Sequence, residues 1–120
     1  MVLENLDVYK IALEISNLAW EIFIELPKEF RFTLGSQFLE AADSIGANIA
    51  EGYGRYHYRD SVKFYYNSRG SLLELRFWNT IITQRHLIKS DKLIIINGLI
   101  DKEHFKLNSF IASIKSRTLS

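Results

Sequence analysis

The 120-residue chain contains no cysteine, which excludes disulfides and thiolate chemistry and fits a reducing compartment such as the cytoplasm. Proline occurs once, at Pro27, where it is placed to end a helix. No apolar run approaches the roughly 18 residues of a membrane span. The longest, Leu93-Ile94-Ile95-Ile96, is far too short, so no membrane association is expected. The first residues, Met1 to Asp7, are acidic where a signal peptide would be basic. Histidine is sparse: His57, His86 and His104. A di-metal centre in a helical bundle needs Glu-x-x-His pairs on two helices. None of the three histidines follows a glutamate at that spacing, and Asp101-Lys102-Glu103-His104 is a single imitation that reads as surface polar residues. No Gly-Lys-Ser/Thr follows the glycines at 52 and 54, so a phosphate loop is absent. Ser71 has no visible triad partner. The chain therefore reads as non-enzymatic, without metal or cofactor.

What is present is helix. The length fits one domain, residues 1–120, with a core of its own. Asp7, Lys10, Glu14, Asn17, Glu21 and Glu25 form one narrow polar stripe on a helix from about residue 6 to 26, with Asn5 as its expected cap. Nearly every other position there is apolar, including Tyr9, Leu13, Trp20 and Ile24. An amphipathic helix needs an apolar arc of only about 100° or slightly more. This arc is much wider, which predicts cover from more than one side and hence self-association.

A second helix is expected from about Phe30 or Thr33 to Gly52, with Gly52 and Gly54 supplying a left-handed end. A third runs from about Tyr58–Asp60 to Lys89. It retains Gly70 despite a cost of about 1 kcal/mol relative to alanine, which suggests a packing reason. Ser90 or Asp91 caps a fourth helix to about Lys115, with Leu93, Ile96, Ile100, Leu107, Ile111 and Ile114 as its core stripe. The expected fold is all-α, an antiparallel up-down-up-down four-helix bundle.

Two sets of polar residues invite a functional reading. Asn48, Glu51, Gly52, Gly70, Ser71 and Glu74 place small and polar groups where packed helices usually carry large apolar ones. They read either as a binding pocket or as a hydrogen-bonded lock between helices two and three, and the lock is preferred because buried polar groups are generally satisfied internally. The second set is basic. Net charge is −6 over residues 1–52, +5 over 53–90 and +2 over 91–120. The cations Arg55, Arg59, Lys63, Arg69, Arg76, Arg85 and Lys89 lie on or beside helix three, interleaved with Tyr53, Tyr56, Tyr58, Tyr65 and Tyr66. Cations can neutralise phosphates and tyrosines can stack on bases. The same asymmetry could instead draw acidic and basic helices together, within or between subunits.

Leu26-Pro27, Gln37, Ala41-Ala42, Ser44-Ile45, Asn48-Ile49-Ala50-Glu51-Gly52 and Gly70-Ser71-Leu72-x-Glu74-Leu75, with Tyr9-Lys10 in helix one, carry a resemblance. Over nearly its whole length the chain resembles the bacterial four-helix bundle proteins encoded by intervening sequences of 23S ribosomal RNA genes, often labelled S23 ribosomal protein. The resemblance implies an antiparallel four-helix bundle and a ring-like homopentamer. It also implies kinship with the accessory variability determinant of diversity-generating retroelements, a basic pentamer that partners a reverse transcriptase and binds nucleic acid. It implies no enzymatic activity. Two positions depart from the family pattern. Leu39-Glu40 stands where a pair of arginines is common, which removes positive charge from helix two, and Gly46 replaces a common proline. The expected function is thus a non-enzymatic oligomeric adaptor for RNA, DNA or a nucleic-acid enzyme. The alternative is a structural or protein-interaction module with no nucleic-acid role.

Overall fold

A computed structural model describes residues 2–55 and 57–118. After a 3-10 turn at Leu3–Asn5, the elements are α1 (Asp7–Glu25), α2 (Lys28–Arg31), α3 (Leu34–Tyr53), α4 (Tyr58–Gln84) and α5 (Lys92–Thr118). α2 is a single turn. The four long helices run alternately up and down in a bundle about 50 Å long and little over 20 Å across, and the described residues include no strand.

The helix ends follow local chemistry. Leu26 is extended (φ −64°, ψ 142°), as expected for a residue before proline, so α1 stops there. Arg31 then folds back over the open end. Its Nε donates to the Leu26 carbonyl at 3.0 Å and its Nη2 to that of Ile24 at 2.7 Å. Asn5 does not cap α1 as expected: it lies in the 3-10 turn, and Leu6 occupies the cap without a side-chain hydrogen bond. Of the two starts expected for the second helix, Thr33 agrees with the structure and Phe30 does not: the chain first makes the α2 turn, and α3 begins at Leu34 with Thr33 as its N-cap.

α4 ends at Gln84, five residues before the expected Lys89. The cause is His86, whose φ of 54° puts it in the left-handed region. The Leu87 N–H donates to the Ile82 carbonyl at 3.2 Å and the His86 N–H to that of Thr83 at 3.1 Å. This is the paired-bond helix stop usually built on glycine, here built on a histidine. Glycine plays no such part at the end of α3. No described glycine has a positive φ, Gly54 is ordinary right-handed backbone, and Gly52 is inside the helix. Ser90 behaves as expected: its Oγ accepts the Lys92 N–H at 3.2 Å at the start of α5.

The core forms where the four apolar stripes meet. Val8, Ile11, Ile15 and Ile22 come from α1, Phe38, Ile45 and Ile49 from α3, Leu72, Leu75 and Ile82 from α4. All six residues of the expected α5 stripe are buried. Each long side chain withdrawn in this way contributes about 1.5–3 kcal/mol relative to exposure. The wide apolar arc of α1 is only half used. Its inner side is buried, while Leu13, Trp20 and Ile24 line its outer face, with Trp20 53% exposed.

Candidate functional site

The basic residues do not gather into one surface on this subunit. α4 is 27 residues long, about 40 Å at 1.5 Å per residue, and the cations are spread along it. Arg59 and Lys63 lie in its first two turns and are exposed, with Arg55 in the preceding loop. Arg85 caps the opposite end, and Lys89 lies beyond it in the loop to α5. Between them, Arg69 donates to Asn108 Oδ1 at 2.9 Å and covers the Tyr66 ring at 4.9 Å. Arg76 pairs with Asp101 at 2.6 Å. These two arginines tie α4 to α5.

The end of the bundle where α4 begins brings cations and aromatic rings together. Arg55 pairs with Glu51 at 2.5 Å and covers the Phe64 ring at 4.6 Å, with the Lys63 ammonium 5.1 Å from the same ring. Tyr53 and Tyr58 are exposed beside them. The last turns of α5 bring Lys115 and Arg117 to the same end, Arg117 lying 5.5 Å from the Tyr58 ring. The sequence pattern did not single out these α5 cations, because they sit about 60 positions from Arg55 and meet it only through the antiparallel fold. Tyr56, counted among the interleaved tyrosines, lies outside the described residues.

The family-motif residues separate into two kinds. Gly52 makes a true helix–helix contact: a Cβ there would sit 2.6 Å from Tyr65 Cε1 and 3.1 Å from the Ser61 carbonyl oxygen of α4. The polar members stay on their own helices. Asn48 Nδ2 donates to the Ser44 carbonyl at 2.8 Å, Glu51 pairs with Arg55, and Glu74 accepts from Trp78 Nε1 at 3.3 Å. Ser71 is half-buried. Gly70 is exposed, and an added Cβ there would meet nothing within 4 Å, so the described residues show no packing reason for it. Ser68 does join α3 to α4: its Oγ donates to the Ile45 carbonyl at 2.9 Å.

Besides Ser61 and Ser68, two further buried polar residues belong to no motif. Asn79 joins α4 to α5, donating to the Leu93 carbonyl at 3.1 Å and to Asn97 Oδ1 at 2.9 Å. Glu103 is fully buried on α5, and neither carboxyl oxygen has a hydrogen-bond partner. Burial alone pushes its pKa from the usual 4.5 up to about 8. It is thus not the surface residue expected of the Asp101–His104 stretch. The available signal was its position, in the gap of the apolar stripe between Ile100 and Leu107. No cluster of three or more His, Asp or Glu side chains among the described residues is arranged to hold a metal ion. No described helix is long and apolar enough to cross a membrane.

The 23S rRNA-intervening sequence protein family model matches residues 4–109. The crystal structure of a protein of unknown function from the S23 ribosomal protein family of Bacteroides thetaiotaomicron VPI-5482 superposes with a TM-score of 0.80. The two are 22% identical, and the match covers 87% of this chain and 97% of that one, which establishes the shared fold. No curated protein sequence matches the chain.

Proposed function

We propose that this chain, which belongs to the 23S rRNA-intervening sequence protein family, is a non-enzymatic platform. Several copies associate through their exposed apolar faces, and the platform presents basic, tyrosine-rich bundle ends to RNA or DNA. The observation that carries the reading is the outer face of α1. Leu13, Trp20 and Ile24 recur there at spacings of seven and four, so they share one side of the helix and leave a stripe of large apolar groups in water. A second stripe, Tyr66, Leu73 and Phe77, runs along α4. The acidic first half of the chain and the basic α4 segment favour contacts between unlike faces of neighbouring copies. Five copies in a ring is the number implied by the family resemblance.

The nucleic-acid part rests on Arg55, Arg59 and Lys63 converging with Lys115 and Arg117 beside Tyr53 and Tyr58. Cations of this kind neutralise phosphates, and exposed rings stack on bases. The competing reading, a protein-interaction module indifferent to nucleic acid, is favoured by Arg69 and Arg76, which already have partners inside the chain.

Sedimentation and an RNA titration test both halves. The parent chain is expected to sediment as an oligomer and Trp20→Glu as a smaller species. A parent that stays monomeric at tens of micromolar refutes the platform. Structured RNA is expected to bind at low salt and to lose affinity steeply as salt rises. Absence of binding at low salt decides for the protein-interaction module.

A further inference from the structure

At the basic end of the bundle, α3 and α5 finish and α4 begins, and a cavity of about 510 Å³ opens between them. That volume lies in the range of roughly 300–1,000 Å³ typical of small-molecule sites. We propose that this cavity binds a single nucleotide, its base against the tyrosines and its phosphate on the two guanidiniums. The proposal deepens the nucleic-acid reading of this end by naming the unit that is recognised.

The floor is apolar and exists because Gly52 lacks a side chain, which lets the Tyr65 ring lie against α3. Phe110 meets Tyr65 edge to face at 4.9 Å and fixes that wall. Tyr53 and Tyr58 stand in the lining and are partly exposed, Arg117 lying 5.5 Å from the Tyr58 ring, so a planar base entering the cavity meets aromatic rings. Ser113 also lines the cavity, and its Oγ already donates to the Phe110 carbonyl at 3.1 Å. The oxygen keeps its acceptor capacity for a donor such as a ribose hydroxyl or an exocyclic amine.

The charge of the lining is of one sign. Arg55 and Arg117 belong to it and no carboxylate does, Glu51 touching Arg55 from outside. A guanidinium fork matches a phosphate monoester in two parallel hydrogen bonds. Helix dipoles do not make this choice, because two negative helix ends, of α3 and α5, meet two positive ones here, of α4 and of α1, whose N-cap Leu6 is in the lining. The preference for an anion comes from the arginines. A flat ring, an apolar floor, hydroxyl acceptors and a phosphate-sized cationic mouth together describe a nucleotide, free or at the 5′-phosphorylated end of a strand.

The test is calorimetric titration of the full chain with adenosine and uridine 5′-monophosphates, the matching nucleosides, inorganic phosphate and a 5′-phosphorylated oligonucleotide. Two exposed positions give the variants: Ser113→Trp, which fills the mouth, and Arg117→Gln, which removes one fork. Saturable binding of a nucleotide is expected, at least tenfold weaker in each variant, with nucleoside and phosphate alone each at least tenfold weaker than the nucleotide. Equal thermal melts of parent and variants assign the loss to the pocket. Binding of the free monophosphate identifies a small ligand, and binding of the oligonucleotide alone identifies a strand end. Either result supports the site. No saturable nucleotide binding by the parent, or undiminished binding by Ser113→Trp, overturns it. The two readings fail separately. Long RNA that binds parent and Ser113→Trp alike, with no nucleotide saturating the parent, leaves the basic end standing and removes the pocket. A monophosphate that saturates a chain indifferent to long RNA does the reverse.

Discussion

Glu103 makes stability depend on pH in a direction opposite to that of most carboxylates. In the unfolded chain its carboxyl ionises near 4.5; in the fold, burial holds the proton until about pH 8. Below 4.5 the group is neutral in both states and imposes no pH dependence. Between 4.5 and 8 the unfolded state has lost the proton and the folded state retains it, so unfolding becomes easier as pH rises. Each pH step in that window costs about 1.4 kcal/mol. Across the window the loss comes to several kcal/mol, a large share of the roughly 5–15 kcal/mol by which domains are stable. Above about 8 both states are ionised and the loss levels off. The neutral acid is also imperfectly housed, since neither of its oxygens has a hydrogen-bond partner. Urea denaturation followed by circular dichroism at fixed protein concentration, from pH 4.5 to 9, measures the effect. The parent midpoint is expected to fall steadily to about pH 8. In Glu103→Gln this component of the slope disappears, and Glu103→Leu is expected to be more stable than the parent at pH 7 and above. A Glu103→Gln variant whose midpoint falls with pH as steeply as the parent's would falsify the assignment.

Gly52→Ala is expected to destabilise the subunit by about 1–3 kcal/mol, because the new Cβ must displace the Tyr65 ring or the Ser61 carbonyl; an unchanged melt contradicts the close approach. Gly70→Ala meets open space and removes a helix-propensity cost of about 1 kcal/mol, so subunit stability should rise while assembly weakens if a neighbouring copy covers this face; paired melting and sedimentation read the two effects apart. Glu51→Ala breaks only an exposed pair four residues apart, and a loss above about 1 kcal/mol in the melt would show that its carboxylate has a second role.

The bundle was legible because helical periodicity is a local property. Pro27 and the six apolar positions of α5 each state their role within one or two turns of sequence. Two helix ends were not legible for equally local reasons. A left-handed stop is sought at glycine, and here a histidine adopts it; Gly52, taken for a helix end, is a contact surface. Glu103 was hidden by the rule that ionised side chains face water, a rule its own position in the apolar stripe contradicts. The basic end was half legible. Arg55, Arg59 and Lys63 form one run, whereas Lys115 and Arg117 join them only because α5 is antiparallel to α4, and no spacing along the chain encodes that distance.

One chain by itself leaves several apolar faces in water. Gly70 lies four residues after Tyr66, with Leu73 and Phe77 following at three and seven, so all four share one outer side of α4. On α5, Ile94, Gly98 and Phe105 repeat the pattern at four and eleven, and Gly98 likewise has no atom within 4 Å of an added Cβ. A glycine flanked by exposed large apolar residues costs the helix stability, and nothing in its own chain returns that cost. It becomes useful only when another backbone comes close, because a missing side chain is what lets two helices approach while their neighbours interlock. Both faces therefore suit the assembly proposed above. The apolar stripe of α1 is the third exposed face, and its acidic half of the chain is electrostatically matched to α4. In the proposed assembly a contact between α1 of one copy and α4 of the next is heterologous, so it repeats head to tail, into a ring if the rotation closes and into an open filament if it does not.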